Sequence, residues 1–213
     1  MVVQKGKHSH LSRRLKICGI TRLEDALLAS ECGADAIGFV FYDKSPRYIH
    51  PENAEKIIQA LPPFLTTVGL FVNPTQNEID DTLAVCSLDI IQLHGDESAD
   101  FCASQKRRVI KALPVSEPKD LMRITAYDCT VLLDAKAPSG VYGGTGSSFD
   151  WGMLSGITHD FSLILAGGID VNNVVDAKQI QGFYALDVSS GVESAKGIKD
   201  KQKLKELCEK FCD

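Results

Sequence analysis

The feature that most constrains the fold is a repeat of eight short apolar runs, most of them followed by a segment with helical spacing. A strand followed by a helix, repeated along one chain, builds a parallel sheet with right-handed crossovers. Eight such units within 213 residues predict an α/β fold, a single (β/α)8 TIM barrel. The eight runs are "RLKICGI", "ADAIGFVF", "TTVGLFV", "DIIQLHG", "RVIKALPV", "TVLLDAK", "SLILAGGI" and "FYALDVSS".

An open, doubly wound parallel sheet is the alternative architecture. It would normally carry a G-x-G-x-x-G turn after its first strand, whereas the turn here reads "CGIT". The first helix is expected to begin at Thr21, because Thr21 and Glu24 have the spacing of a capping box. Pro51 suits the first turn of the second helix. No linker or low-complexity stretch divides the sequence, so residues 14–213 are expected to form one barrel domain.

Composition and charge limit the classes of partner. With 44% hydrophobic and 24% charged residues, the chain is typical of a soluble protein, and no apolar run approaches the roughly 20 residues of a membrane helix. A net charge of −5 does not favour nucleic acid as a partner. Residues 1–13 lack the apolar stretch of a secretory signal and are expected to form a polar extension, either a disordered tail or a remnant of cloning. We therefore expect a cytoplasmic protein with its seven cysteines reduced.

Catalytic residues of such a barrel lie at the carboxyl ends of its strands. Those ends carry more residues with reactive or ligand-binding side chains than the chain as a whole. The spacing of histidine and cysteine there does not indicate a metal site. Glycine lets backbone N–H groups approach an anion, and serine adds hydroxyl donors, so the seventh and eighth strand ends predict a phosphate site rather than plain turns. The strand ends carry Cys18, Arg47, Asn73, His94, Asp134, Ala166–Gly168 and Ser189–Gly191.

Four features indicate acid–base chemistry and ligand binding. Lys16 and Cys18 share a strand face, so Lys16 and a helix beginning at Thr21 are expected to lower the pKa of the thiol and make it a base or nucleophile; a packed thiol is the alternative. Asp134 could serve as an acid only if burial keeps it protonated against nearby lysines, and otherwise it forms a structural ion pair.

Arg47 could bind a carboxylate or phosphate with two hydrogen bonds or lie on the surface. The long loop "YGGTGSSFDW" predicts either a flap over the site or a surface turn.

Together these motifs resemble one enzyme family. "KICGIT", "GADAIGFVFYDKSPRYI", "VGLFVN", "IQLHGDE", "LLDAK", "GGTGSSFDW", "LAGGID" and "ALDVSSGVES" are similar to the phosphoribosylanthranilate isomerases of tryptophan biosynthesis, from Leu15 to the last helix. The resemblance implies an Amadori rearrangement of N-(5-phosphoribosyl)anthranilate to 1-(2-carboxyphenylamino)-1-deoxyribulose 5-phosphate, with no cofactor and no metal. One departure is Val171, where a proline is expected after the glycines.

The resemblance also implies roles for individual residues. Asp134 would be the general acid, Cys18 the general base and Arg47 the ligand of the anthranilate carboxylate. From its position alone, His94 could be a base or a residue that orients or contacts the ligand. The phosphate would be held by Gly144, Gly146, Gly167, Gly168, Ser189, Ser190 and Gly191.

Two rival functions remain to be compared. The analogous isomerase of histidine biosynthesis is expected to use two aspartates and to show two similar halves, neither of which the sequence shows. A non-catalytic phosphosugar-binding barrel would be expected to lose the residues at positions 18 and 134. The expected partner is a small-molecule substrate. The chain is expected to be a monomer or a homodimer, and a closed barrel has no free strand edge that would force a dimer.

Overall fold

A computed structural model of the chain describes residues 13–135, 150–154 and 163–212, and at its centre is a closed barrel of eight parallel strands. Strands that follow one another in sequence are neighbours in the barrel, and the first strand closes on the eighth. The predicted TIM barrel is confirmed, and the open sheet is wrong. The strands are β1 (Arg14–Cys18), β2 (Ala36–Val40), β3 (Thr66–Phe71), β4 (Ile90–Leu93), β5 (Arg108–Val115), β6 (Thr130–Ala135), β7 (Leu163–Leu165) and β8 (Phe183–Val188).

Helices follow most of the strands. The segment after β5, expected to be an α-helix, instead forms a 3₁₀ helix over Pro118–Ala126, and a second 3₁₀ helix spans Trp151–Leu154. Within the described ranges, no helix combines the length and the apolar character that crossing a membrane requires. The α-helices are α1 (Leu23–Glu31), α2 (Pro51–Ile58), α3 (Gln76–Val85), α4 (Ala99–Ala103), α5 (Val174–Gln179) and α6 (Lys201–Cys212).

The start of α1 differs from its prediction. The helix begins at Leu23, and its N-cap residue Arg22 makes no capping hydrogen bond through its side chain. The Thr21 hydroxyl instead donates to the carbonyl oxygen of Gly197, so the predicted capping box is wrong. Gly197 lies in the turn of an antiparallel hairpin after β8, formed by β9 (Glu193–Ala195) and β10 (Ile198–Lys199), which the sequence patterns did not predict. The hairpin thus supplies the acceptor for the Thr21 hydroxyl, and the helix begins two residues later, at Leu23.

The core has two layers, as the barrel architecture requires. Strand side chains that point outward pack against the helices and form the larger apolar cluster. Inside the barrel, small and branched residues such as Val68, Ala112 and Ala185 fill the axis. Because this interior is packed rather than open, a ligand site has to lie at an end of the barrel, where the loops begin.

Candidate active site

The predicted site residues in the described ranges gather at the carboxyl end of the barrel. Cys18 is the last residue of β1, His94 directly follows β4, and Asp134 is the second-last residue of β6. Arg47 lies in the loop between β2 and α2, and the two glycine-rich segments follow β7 and β8. Two predicted residues, Gly144 and Gly146, lie outside the described residues.

The Cys18 thiol is buried beside an ammonium group. A methyl group added at Gly38 would lie 2.8 Å from Cys18 Sγ and 3.1 Å from Lys16 Nζ, so glycine leaves room for both side chains. Burial raises the pKa of the Cys18 thiol, and the charges of Lys16 and Lys199 oppose that rise without reversing it. The expectation of a lowered pKa is therefore wrong. Loss of water around the thiol outweighs its cationic neighbours.

Lys16 keeps its charge through an acid that the sequence patterns did not single out. Lys16 pairs in register with Asp187 of β8, and its Nζ donates to Asp187 Oδ1 at 2.8 Å. Burial acts to lower the pKa of Lys16, but Asp187 and Cys18 outweigh it, and the pKa is raised. The thiol thus lies next to a lysine that remains an ammonium.

Asp134 belongs to a chain of three polar side chains. Its Oδ2 lies 3.2 Å from His94 Nε2, and its Oδ1 accepts the backbone N–H of Ala135 at 2.9 Å. On the far side of the imidazole, Gln92 Nε2 lies 3.2 Å from His94 Nδ1. When Gln92 donates to Nδ1, the ring hydrogen is on Nε2 and points at Asp134. This arrangement places an imidazole and a carboxyl group in contact at the mouth of the barrel.

Arg47 is buried rather than on the surface. Its Nε and Nη2 donate to the two carboxylate oxygens of Glu193, each at 2.8 Å. Burial acts to raise the pKa of Glu193, but hydrogen bonds and charges from Arg47 and Lys199 lower it overall. This two-point contact fixes the plane of the guanidinium next to Gly19, where an added methyl group would lie 2.5 Å from Arg47 Cδ.

The two glycine-rich loops lie side by side. Gly167 and Gly168 have φ angles of +85° and +67°, a region that favours glycine. Asp170, in the loop after β7, and Gly191, in the loop after β8, form a parallel bridge. A side chain at Gly191 would collide with the carbonyl oxygen of Ile169. The sequence therefore allows the close loop packing that a shared anion cradle needs.

Buried polar residues within strands are the functional signal that the sequence patterns missed. Lys111 of β5 is fully buried and pairs with Glu97 at 2.7 Å, and Glu97 also accepts the backbone N–H groups of Gly95 and Asn73. These contacts fix the loop that follows His94. A charged side chain in a strand that is covered on both faces needs a partner, and that rule alone marks such positions. Within the described ranges, no group of three or more His, Cys, Asp or Glu side chains is placed to bind a metal ion.

Comparisons with known proteins agree with this geometry. A family model described as N-(5'-phosphoribosyl)anthranilate (PRA) isomerase matches residues 15–210. The chain is 50% identical over 195 residues to the N-(5'-phosphoribosyl)anthranilate isomerase of Pelobacter propionicus, covering 91% of this chain and 93% of the relative.

Solved structures give the same result. The phosphoribosyl anthranilate isomerase of Thermotoga maritima superposes with a TM-score of 0.87 at 44% identity, covering 94% of this chain and 98% of that chain. A second structure, with a TM-score of 0.84 at 41% identity and the same coverage, is a phosphoribosyl anthranilate isomerase in complex with reduced 1-(o-carboxyphenylamino)-1-deoxyribulose 5-phosphate. The chain is therefore an isomerase and belongs to the N-(5'-phosphoribosyl)anthranilate isomerase family.

Proposed function

We propose that the chain converts N-(5-phosphoribosyl)anthranilate into 1-(2-carboxyphenylamino)-1-deoxyribulose 5-phosphate, an Amadori rearrangement in tryptophan biosynthesis. The observation that carries the proposal is the contact of 3.2 Å between His94 Nε2 and Asp134 Oδ2, at the same barrel mouth as a thiol beside an ammonium. The reaction needs an acid for one oxygen and a base for one carbon, and this mouth offers one candidate for each.

In the first step Asp134 gives its proton to the ribose ring oxygen. The bond between C1 and that oxygen breaks, and the nitrogen lone pair forms a C1–N iminium. Asp134 is left as a carboxylate, which accepts from the backbone N–H of Ala135 and faces His94 Nε2. Those two contacts stabilise the charge that the acid acquires.

In the second step the Cys18 thiolate removes the proton from C2. The C–H electrons form a C1–C2 double bond, and the electrons of the C1–N double bond return to nitrogen as its lone pair. The resulting enolamine becomes the ketone by losing the proton on its C2 oxygen and gaining a proton at C1, and exchange with water returns Asp134 and Cys18 to their starting protonation states. Burial disfavours the thiolate in the free protein, but the iminium adds a positive charge near the thiol at the moment when a base is needed. The charge of Lys16 acts in the same direction, so the base is activated by its substrate.

Binding is divided between the two sides of the mouth. Arg47, held in plane by Glu193, is proposed to bind the anthranilate carboxylate, since a guanidinium matches a carboxylate with two hydrogen bonds. The loops with Gly167, Gly168 and Ser189–Gly191 are proposed to bind the phosphate; the predicted contribution of Gly144 and Gly146 stays a prediction.

Turnover tests the proposed function. Phosphoribosylanthranilate is labile and fluorescent, so it is generated in the cuvette and its fluorescence is followed after the protein is added. We expect rapid loss of fluorescence with this substrate. We expect no turnover of the substrate of the histidine-pathway isomerase, assayed separately. Tight binding of the phosphosugar without turnover would favour the non-catalytic barrel, and turnover of only the second substrate would favour the histidine-pathway isomerase.

A further inference from the structure

The β9–β10 hairpin carries two buried charges to the edge of the site. Glu193 begins β9 and Lys199 ends β10, and their side chains form an ion pair of 3.1 Å. Both residues are less than a tenth exposed. Glu193 orients Arg47, as described above. That contact does not account for the buried ammonium of Lys199.

The ammonium of Lys199 contacts three parts of the site. Its Nζ donates to the carbonyl oxygen of Cys18 at 2.6 Å, to the carbonyl oxygen of Ser189 at 3.1 Å and to Glu193 Oε1 at 3.1 Å. An ammonium has three N–H donors, so each donor has an acceptor. The three acceptors belong to the strand that ends in the thiol, the loop after β8 and the carboxylate that holds Arg47.

The backbone of Lys199 is itself held in place. Its N–H donates to Asp25 Oδ2 at 3.1 Å, and Asp25 is paired with Arg22 at the start of α1. Burial lowers the pKa of Lys199, and Glu193 opposes that shift. A charge buried at this cost would add little to stability over an apolar side chain of similar volume, so its stabilising value alone is a weak explanation for it.

We propose that Lys199 is a positioning residue for the isomerisation: one ammonium fixes the end of β1, the loop after β8 and the carboxylate of Glu193 relative to one another. Lys199 thereby fixes the positions of the base, the phosphate-binding loop and the carboxylate-binding arginine relative to one another. This proposal rests on the proposed function. Wild-type turnover, measured first, separates the two, because an inactive wild-type protein would overturn the function itself.

The substitution Lys199→Met tests the role of the charge. It keeps most of the side-chain length and removes all three donors, and we expect kcat/KM to fall on the order of 10²-fold, the effect of a misplacement of about 1 Å. The described charged groups that act on Cys18 are Lys16, Asp187 and Lys199. Because Lys199 favours the thiolate, its removal is expected to move the base-dependent limb of the pH profile of kcat/KM to higher pH.

The matched control is Lys203→Met. Lys203 lies in α6 and donates to the backbone carbonyl oxygen of Glu193 at 2.9 Å, so it supports the same hairpin without contacting the Cys18 strand. We expect this variant to keep wild-type kinetics. Equal losses in the two variants with an unmoved pH limb would show that Lys199 only stabilises the hairpin, and would overturn the proposal.

Lys199→Arg keeps the test decisive if the methionine variant does not fold. The planar guanidinium retains the charge but does not match acceptors arranged around a tetrahedral ammonium. We expect kcat/KM to fall while the base-dependent limb stays at its wild-type pH. Wild-type kcat and KM in this variant would contradict a positioning role. Thermal unfolding of each variant reports whether it is folded.

Discussion

At the scale of single residues, two cations of the site are each held by a buried carboxylate. Lys16 is held by Asp187, and Arg47 by Glu193. Burying such charges is costly, and their mutual attraction with additional hydrogen bonds offsets the cost. The outcome is a set of reactive or binding groups whose rotamers are fixed before a substrate arrives.

Arg47→Ala is expected to weaken binding through the substrate carboxylate. Hydrogen bonds to a charged group contribute about 1.5–3 kcal/mol, which corresponds to a loss of affinity of about 10- to 150-fold. The measurement compares the affinity of an anthranilate-bearing analogue with that of its aniline counterpart, which lacks the carboxylate. The preference for the anthranilate analogue is expected to fall in the variant.

Arg47→Lys is the control for charge without the two-point geometry, and it should lie between the wild type and the alanine variant. An unchanged preference in Arg47→Ala would contradict the assignment of this arginine to the carboxylate.

Residue positions were predictable where the strand pattern alone decides them. Cys18, His94 and Asp134 follow from reading strand ends, because the strands are local patterns and the barrel brings their carboxyl ends together. The pKa direction of Cys18 was not predictable in the same way. It depends on how far burial outweighs Lys16 and Lys199, and burial is a property of the folded chain.

At the scale of elements, the loops at the barrel mouth are held from below by strand residues. Lys111 of β5 donates to Glu97 and to the carbonyl oxygen of Gly95, and through them it fixes the loop after β4 that begins with His94. A second lysine–glutamate pair serves as a comparison: Lys119 is paired with Glu117, and this pair is exposed to solvent. The two pairs have similar lengths and very different surroundings.

Lys111→Met is therefore expected to destabilise the protein strongly. Removing one partner leaves the Glu97 carboxylate buried without its counter-charge, which typically costs about 3–5 kcal/mol. Chemical denaturation measures the free energy of unfolding. Lys119→Met is the control and should leave that free energy unchanged, since its pair is solvated. Similar stabilities for the two variants would contradict the supporting role of the buried pair.

Element boundaries show where local sequence signals fail. The spacing of Thr21 and Glu24 suits a capping box, yet the Thr21 hydroxyl donates to Gly197, which is distant in sequence. Likewise the β9–β10 hairpin is too short to leave a strand pattern, although it supplies Glu193 and Lys199. Contacts between segments that are distant in sequence determine both the partner of Thr21 and the position of the hairpin. A local sequence pattern carries no information about such contacts.

At the scale of the whole molecule, closure of the barrel brings residues from both ends of the chain together. β1 pairs with β8, so Lys16 meets Asp187 and the Cys18 carbonyl meets Lys199. The predicted polar extension over residues 1–13 and the predicted flap stay predictions. The fold class was accessible because alternation of strands and helices repeats along the entire chain, whereas these long-range pairs needed the closed sheet.

The stability of the whole molecule is expected to depend on pH through Glu193. Its pKa is lowered in the folded protein, because Arg47 and Lys199 outweigh the opposite effect of burial. The associated stability is present above the ordinary pKa of 4.5 and is lost as the pH falls through the lowered value. We expect the wild type to exceed Glu193→Gln in free energy of unfolding at neutral pH, with the difference shrinking in acid. A constant difference between about pH 7 and about pH 3 would contradict this linkage.

The most direct test of the acid and base assignments is turnover by Cys18→Ser and Asp134→Asn beside the wild type. Loss of phosphoribosylanthranilate fluorescence gives kcat, and binding of a reduced product analogue shows whether each site is intact. We expect each variant to bind the analogue with wild-type affinity and to lose about 10²–10⁴-fold in kcat, the typical contribution of one general acid or base. A near-wild-type kcat in either variant would contradict the role proposed for that residue.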